Sequence, residues 1–429
     1  MPPYFPRDWL RSWCWRSLLL MSLAVAGARL AVADEGPPSG LPPDIVEAWQ
    51  KAGAAVAWMG KDQTGALYLR LGDQGEPGEL PAFAFPRLWK PPAGVLAKLP
   101  APARHFGLAL GRTAIRDASL KEIAGFEQLQ ELYLGPYAQT ERSLITERGV
   151  KELWALKQIR TLNLQRSLVT DACVKELAPF KELRTVDFSF NKITDAGLKY
   201  LEPLKHRLES LNLASTEVTD AGMKELAVLE QLVFLDLAAT QVTDAGVKDL
   251  AGLKQLQTLK FFGHKITDDS VKVLATLKQL RSLKLAFTCI SDDGVKGLAK
   301  LEQLQTLNLD YTQLTDAGVR ELARLDQLQT LSLSLTEVTD TGLNDLTALQ
   351  HLRTLDLSFN RVTDAGLKSL AAHPTLHTLN LAATRVTDAG LPELASLKQL
   401  RLLNLRNTSV SGAGIKSLEQ SIPGLRISY

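Results

Sequence analysis

Leu301-Glu-Gln-Leu-Gln-Thr-Leu-Asn-Leu-Asp-Tyr-Thr-Gln-Leu-Thr-Asp-Ala-Gly-Val-Arg-Glu-Leu-Ala-Arg324 is one copy of a unit that recurs along most of this 429-residue chain. Its Thr315-Asp316 pair returns as Thr170-Asp171, Thr194-Asp195, Thr219-Asp220, Thr243-Asp244, Thr267-Asp268, Ser291-Asp292, Thr339-Asp340, Thr363-Asp364 and Thr387-Asp388. Neighbouring pairs stand 24 residues apart, except for 25 between Asp195 and Asp220. A fixed period of this size is the signature of a solenoid, in which no unit buries its apolar face alone and stacking makes one continuous core. Within a unit, Leu307 and Leu309 alternate with Asn308 at period two, which predicts a short strand with one buried face. After Asp316 the apolar residues Val319, Leu322 and Ala323 move to helical spacing, which predicts an amphipathic helix of about two turns. Strand, turn and helix return the chain one strand spacing along, so successive strands lie parallel.

This pattern resembles the leucine-rich repeat, and within that family the helix-bearing subclass shared by F-box-type proteins, ribonuclease-inhibitor-type proteins and many bacterial proteins. Thr312 stands where other subclasses place Asn or Cys. The resemblance runs from about Phe106 to Tyr429. It implies a right-handed α/β horseshoe of about 13 repeats, with parallel strands lining the concave face.

The recurring columns have structural readings. Thr or Ser before Asp is a helix N-cap, with the carboxylate at the positive end of the helix dipole. The Gly column (Gly197, Gly222, Gly246, Gly294, Gly318, Gly342, Gly366, Gly390) admits Cys173 and Ser270, so small size rather than positive φ is required there. The Thr column (Thr216, Thr240, Thr288, Thr312, Thr336, Thr384, Thr408), with Asn191 and Asn360, is expected to form a hydrogen-bonded ladder through the turns. Stacked carboxylates bind Ca²⁺ in some solenoids, but no second oxygen ligand recurs beside this Asp column, and no metal or other cofactor is expected.

Residues 1–33 read as a secretory signal. Arg7, Arg11 and Arg16 precede an apolar run from Leu18 to Ala28, and Ala31-Val32-Ala33 offers a cleavage site. That run is too short to span a bilayer, and the mature chain is expected to be exported, soluble and monomeric, in a bacterial envelope or outside the cell. Retention of the segment as an anchor is the competing reading, given Trp9, Trp13 and Trp15. Residues 34–104 break the period. After the linker-like Gly36–Pro43 comes a helix over Asp44–Lys51, capped by Asp44, then short strands over Ala54–Met59 and Ala66–Leu71 and a Pro-rich stretch over Pro81–Pro102. This region is expected to cap the first repeats, with the array over 105–429 ending in a cap strand at Leu425–Ile427. Leu41-Pro-Pro-Asp-Ile-Val46 faintly resembles the opening of an F-box, which would imply a ubiquitin-ligase substrate-recognition subunit. The rest of that three-helix motif is absent, and an export signal is incompatible with cytosolic ubiquitin machinery.

The balance of 49 basic against 47 acidic residues gives no electrostatic case for nucleic acid, which would need a clustered basic stripe. Cys173 and Cys289 lie about five repeats apart, beyond disulfide reach at about 4.8 Å per strand. His373 and His377 have metal-like spacing, but His373 takes a core Leu position and His377 an exposed one, so they diverge. No catalytic motif is present, and a non-catalytic protein is expected. The informative variation lies on the strand face, where Lys260, Phe262, Lys284, Phe287, Asp310, Tyr311, Leu335 and Phe359 are expected to form one concave surface. Aromatics flanked by charges compose a protein-binding hot spot, so a protein or peptide ligand is expected there. An adhesive role with a polysaccharide partner is the alternative.

Overall fold

The computed structural model of this protein describes residues 41–72, 74–136 and 142–429. The signal segment over 1–33, most of the Gly36–Pro43 linker and residues 137–141 lie outside the described residues.

The sheet opens with β1 (Ala55–Lys61), β2 (Leu67–Leu71), β3 (Leu80–Ala84), β4 (Phe106–Ala109), β5 (Leu129–Tyr133), β6 (Thr161–Asn163), β7 (Thr185–Asp187), β8 (Ser210–Asn212) and β9 (Phe234–Asp236). It continues with β10 (Thr258–Phe262), β11 (Ser282–Ala286), β12 (Thr306–Asn308), β13 (Thr330–Ser332), β14 (Thr354–Asp356), β15 (Thr378–Asn380), β16 (Leu402–Asn404) and β17 (Arg426–Ser428). From β3 to β17 each strand pairs in parallel with the next, and the array reads in strict register: Leu307 stands beside Leu331, and Leu331 beside Leu355. The repeat strands β4 to β16 match the thirteen strands that the sequence period requires. Helices such as Asp316–Leu322 are seven residues long, two turns, and bury Gly318, Val319 and Leu322. The alternating leucines are fully buried, Leu307 and Leu309 among them, and form one core cluster from Leu41 to Leu425.

Neighbouring helices are joined by the Thr-Asp pairs in a way that a single repeat does not reveal. Thr315 does cap its own helix, its Oγ1 accepting from the Ala317 N–H at 3.2 Å. Asp316 reaches the following repeat instead: its Oδ1 accepts the Thr339 N–H at 2.8 Å and its Oδ2 accepts the Thr339 O–H at 2.6 Å. The same two-pronged rung links Asp171 to Thr194, Asp268 to Ser291, and Asp388 to Ser411. The carboxylates are therefore inter-repeat staples as well as dipole partners. The Gly column exists to admit them. A Cβ on Gly342 would lie 2.5 Å from Asp316 Oδ1, and none of these glycines has positive φ. Ser270, in that column, donates its hydroxyl to Asp244. Where Glu147 replaces Asp, the following Thr170 makes no side-chain cap and Cys173 fills the Gly place.

The Thr column differs from its expected role. Thr312 Oγ1 donates to the Leu309 carbonyl three residues back, as Thr288 does to Leu285 and Thr384 to Leu381. These bonds close each turn on itself. Only the longer Asn side chains reach back a repeat: Asn191 Nδ2 donates to Leu164 O at 2.8 Å, and Asn360 Nδ2 to Leu333 O at 2.6 Å. A threonine hydroxyl is short and bonds its own turn's carbonyl first, but beside Asn360 a rung does form: the Thr336 hydroxyl donates to Leu333 O at 2.9 Å and also lies 3.0 Å from Asn360 Oδ1.

Residues 41–104 continue the sheet. Helix α1 (Pro43–Lys51) begins with Pro at its first position and has no side-chain cap, so Asp44 sits inside the first turn rather than capping it. Trp49 is fully buried, stacked on Phe83 at 4.3 Å and edge-on to Phe106 at 6.1 Å, which seals the apolar end of the first repeat. Sequence reading missed β3 because Pro81 lies inside it; Pro81 pairs across from Trp58 in the antiparallel β1–β3 ladder, while Phe83 stands beside Leu108 of β4.

Candidate functional site

Two features define the concave side. The first is where the strand alternation ends. Lys260, Lys284 and Asn308 share one floor column, in mutual register, and Phe262 and Asp310 lie two residues further along their own repeats. Phe287, Tyr311, Leu335 and Phe359 were expected on that same floor. They instead occupy a left-handed turn just past each strand, with φ between 54° and 60°. A left-handed residue breaks the period-two alternation, so these side chains form a ridge along the strand ends rather than part of the floor. From Phe262 to Tyr311 the rings are in contact. Phe262 lies 4.7 Å from Phe287, and Phe287 is stacked on Tyr311 at 4.5 Å with 18° between ring planes. Leu335 follows, half-buried, then Phe359, exposed. Upstream the same column carries Arg166, whose guanidinium lies over the Phe190 ring at 4.0 Å.

The floor beside the ridge is charged. Lys260 Nζ lies 3.4 Å from Asp236 Oδ2 and 4.6 Å from the centre of the Phe234 ring. Burial pushes the Lys284 ammonium below its ordinary pKa, and the adjacent Lys260 adds to the shift. Asp310 is buried, and burial raises its carboxyl to about 6, against the hydrogen bonds it accepts from Ser332 Oγ at 2.6 Å, the Ser334 N–H at 2.8 Å and Asn308 Nδ2 at 2.7 Å. Gly263 takes the ridge position in its repeat with φ at 121°, and its rung to Ala286 O lengthens to 3.4 Å. A cleft of about 350 Å³ opens there, lined by Leu237, Val242, Phe261, Ile266 and the exposed His264. His264 stands at the Thr-column position of its repeat but is exposed, and its ring tilts towards Tyr311 at 6.3 Å.

The second feature is the β1–β2 hairpin, which folds over the concave face. Ala57 and Met59 pack with Ala82, Ala84, Ala109 and Tyr133, so that Tyr133, a floor residue, is fully buried. Further along, Gly65 at the hairpin tip rests on Phe234 of β9: a Cβ on Gly65 would lie 3.0 Å from that ring. Lys61 faces the carboxylates of Glu209 and Glu131, and Asp62 acts on Lys284. Nothing periodic in the sequence marks this contact. The available signal was the strand-turn-strand pattern around Gly65, which says nothing about where the hairpin lands.

His373 is buried, its Nδ1 3.2 Å from Leu349 O, while His377 is exposed, so the two diverge. Among the described residues no group of three or more His, Cys, Asp or Glu side chains has metal-holding geometry. No described helix is long and apolar enough to cross a membrane.

This stacking of strand, turn and helix defines a leucine-rich repeat solenoid. The family description "Leucine-rich repeat region" matches residues 206–389, and "Leucine Rich repeat" matches residues 182–201. The chain is a leucine-rich repeat protein. Among solved structures it is similar to an internalin of Listeria monocytogenes, at 22% identity and TM-score 0.53, over 75% of this chain and 86% of that one. It is also similar to a leucine-rich repeat protein of Leptospira interrogans, at 23% identity and TM-score 0.50, over 80% of this chain and 93% of that one. These likenesses establish the fold. No curated protein matches the chain.

Proposed function

We propose that this protein is a non-catalytic scaffold that binds another protein through the ridge Phe262–Phe287–Tyr311–Leu335–Phe359 and the adjoining floor of Lys260, Lys284 and Asp310. The observation that carries this reading is the ridge itself. Phe287, Tyr311, Leu335 and Phe359 fill, in four successive repeats, the left-handed position that other repeats give to Ser215, Ala239, Gly263 or Ala383. Phe262 leads into this row, and the floor carries Lys260, Lys284 and Asp310 in the same repeats, so aromatic and charged side chains share one surface, the composition of a binding hot spot. The charged floor beside the rings favours protein over polysaccharide, because Lys260, Lys284 and Asp310 ask for matched charges on the partner. The F-box alternative fares worse, because residues 41–104 form three strands, one nine-residue helix and a single 3₁₀ turn where that motif needs a compact three-helix unit. The signal-like residues 1–33 support export of the protein to a bacterial envelope or the exterior.

The test is capture from envelope extract by wild type and by a Phe287→Ala/Tyr311→Ala chain, with Leu309→Ala as the stability reference. Leu309 is fully buried and its truncation should cost about 2–5 kcal/mol. The ridge double mutant should keep its fold and lose the partner. Partner capture that survives in a folded ridge mutant would refute the assignment. Binding to purified polysaccharide instead would favour the adhesive reading.

A further inference from the structure

The hairpin over the concave face is held very differently at its two ends. At the base, β1 is locked by its ladder to β3, from Ala55–Ala84 to Met59–Leu80, and by the buried cluster around Met59 and Tyr133. At the tip, every hydrogen bond of residues 62–66 is internal. Asp62 Oδ1 accepts from the Thr64 N–H, the Thr64 hydroxyl and the Ala66 N–H at 2.7–3.0 Å, and the Asp62 and Gly65 amides bond within the same turn. The tip is thus a self-sufficient turn with no hydrogen bond to the repeats, resting on Phe234 by van der Waals contact and adding the Asp62 charge near Lys284. Lifting it breaks no hydrogen bond.

Beneath the tip lies a small patch unlike the rest of the floor: the Phe234 ring, 5% exposed, with Lys260 beside it and Lys284 in the neighbouring repeat. Asp236 pairs with Lys260, and Asp62 supplies a further negative charge towards Lys284. When the tip leaves, it takes that carboxylate and the small Gly65 away together. The vacated surface is an aromatic ring followed, in the next two repeats, by two lysines, complementary to a turn that offers a carboxylate next to a small residue.

We propose that the β1–β2 hairpin is a lid whose tip lifts from the concave face to uncover Phe234, Lys260 and Lys284, a docking site for an acidic turn of a partner protein. This deepens the proposed function and rests on the protein-binding reading, although lid opening is measurable without any partner.

A Cβ on Gly65 would lie 3.5 Å from the Phe234 Cβ, within the span of a disulfide. A Gly65→Cys/Phe234→Cys chain, with Cys14 and Cys289 replaced by Ser, can therefore be stapled shut by oxidation. Acetic anhydride labelling of the full chain, read by mass spectrometry, reports access to Lys260 and Lys284, with exposed Lys248 and Lys254 as references. Oxidation should slow acetylation of Lys260 and Lys284 by about tenfold or more, reduction should restore it, and the reference lysines should not change. Phe234→Ala, which removes the resting point without introducing a thiol, should speed it. Equal rates in the stapled and reduced forms would overturn the lid.

The partner chemistry is tested separately with a cyclic peptide carrying the tip sequence Lys-Asp-Gln-Thr-Gly-Ala. At about millimolar concentration, comparable to the effective concentration of the tethered tip, it should slow acetylation of Lys284 in the reduced protein about twofold or more. The version with Asn in place of Asp should not. Equal protection by both peptides, or by neither, would overturn the acidic-turn assignment while leaving lid opening decided by the staple. Loss of ridge-dependent capture in the folded double mutant concerns the ridge alone, so the two readings fail independently.

Discussion

Asp316 is the most informative residue to remove, because it is bound at once to a hydroxyl, an amide and a glycine. Asp316→Ala deletes two charge-assisted hydrogen bonds to Thr339, at 2.8 and 2.6 Å, and leaves a half-buried N–H without its acceptor. Bonds of this kind contribute about 1.5–3 kcal/mol each when buried and less at a partly exposed rung. Loss of the helix-dipole interaction adds about 0.3–1 kcal/mol, partly offset by the better helix propensity of Ala. The expected total is about 2–4 kcal/mol. Gly342→Ala attacks the same rung from the other side. Its new Cβ would stand 2.5 Å from Asp316 Oδ1, so the carboxylate must move and both bonds lengthen, at about 1–3 kcal/mol. In the Asp316→Ala background that clash is gone. The nearest remaining atom is the residue 316 Cα at 3.3 Å, a contact that a slight shift relieves. Gly342→Ala should then be close to neutral, or stabilising by up to about 1 kcal/mol through helix propensity. The double mutant should therefore cost less than the sum of the singles by about 1.5–3 kcal/mol. Urea midpoints give the overall effect, and native-state hydrogen exchange at β12 to β14 localises it. Additivity within about 0.5 kcal/mol would show that the carboxylate does not hold the position that makes glycine necessary.

The interruption at Glu147 can be repaired: Glu147→Asp together with Cys173→Gly should create the missing rung to Thr170 and stabilise the chain by about 1 kcal/mol, whereas Glu147→Asp alone should gain less because the Cys173 side chain obstructs the carboxylate. A thermal or urea midpoint no higher than wild type in the double variant would count against the rung geometry. Asp310 should titrate with a midpoint near 6 by carboxyl NMR, moving down in Asp356→Asn because the Asp356 charge contributes to the rise. Since its folded value lies above the ordinary carboxyl value of about 3.9, Asp310 contributes stability that is fully present below about pH 4 and is lost as pH rises through about 6. A carboxyl titrating in the ordinary range would mean that solvent reaches the floor at that point.

The 24-residue period determined the solenoid, the thirteen repeat strands, the helices and the identity of the buried leucines, because each unit repeats the same local chemistry and can bury it only against its neighbours. It also gave the small-residue requirement of the Gly column correctly. What occupies the space beside Gly342 was beyond it: the rung from Asp316 to Thr339 joins different repeats, and a capping role inside one helix accounts for the same residues. The left-handed turns at Phe287, Tyr311, Leu335 and Phe359 were likewise hidden. Alternation indicates which face a strand residue takes but not where the strand stops, and these bulky residues carry no glycine signal. The contact of Gly65 with Phe234 lies furthest from sequence reading. It joins a non-repeating hairpin to a strand about 170 residues away, and depends on how the β1–β3 ladder carries the hairpin across the floor. Local chemistry thus determined the repeat, and three-dimensional closure decided which part of its concave face lies beneath the protein's own hairpin.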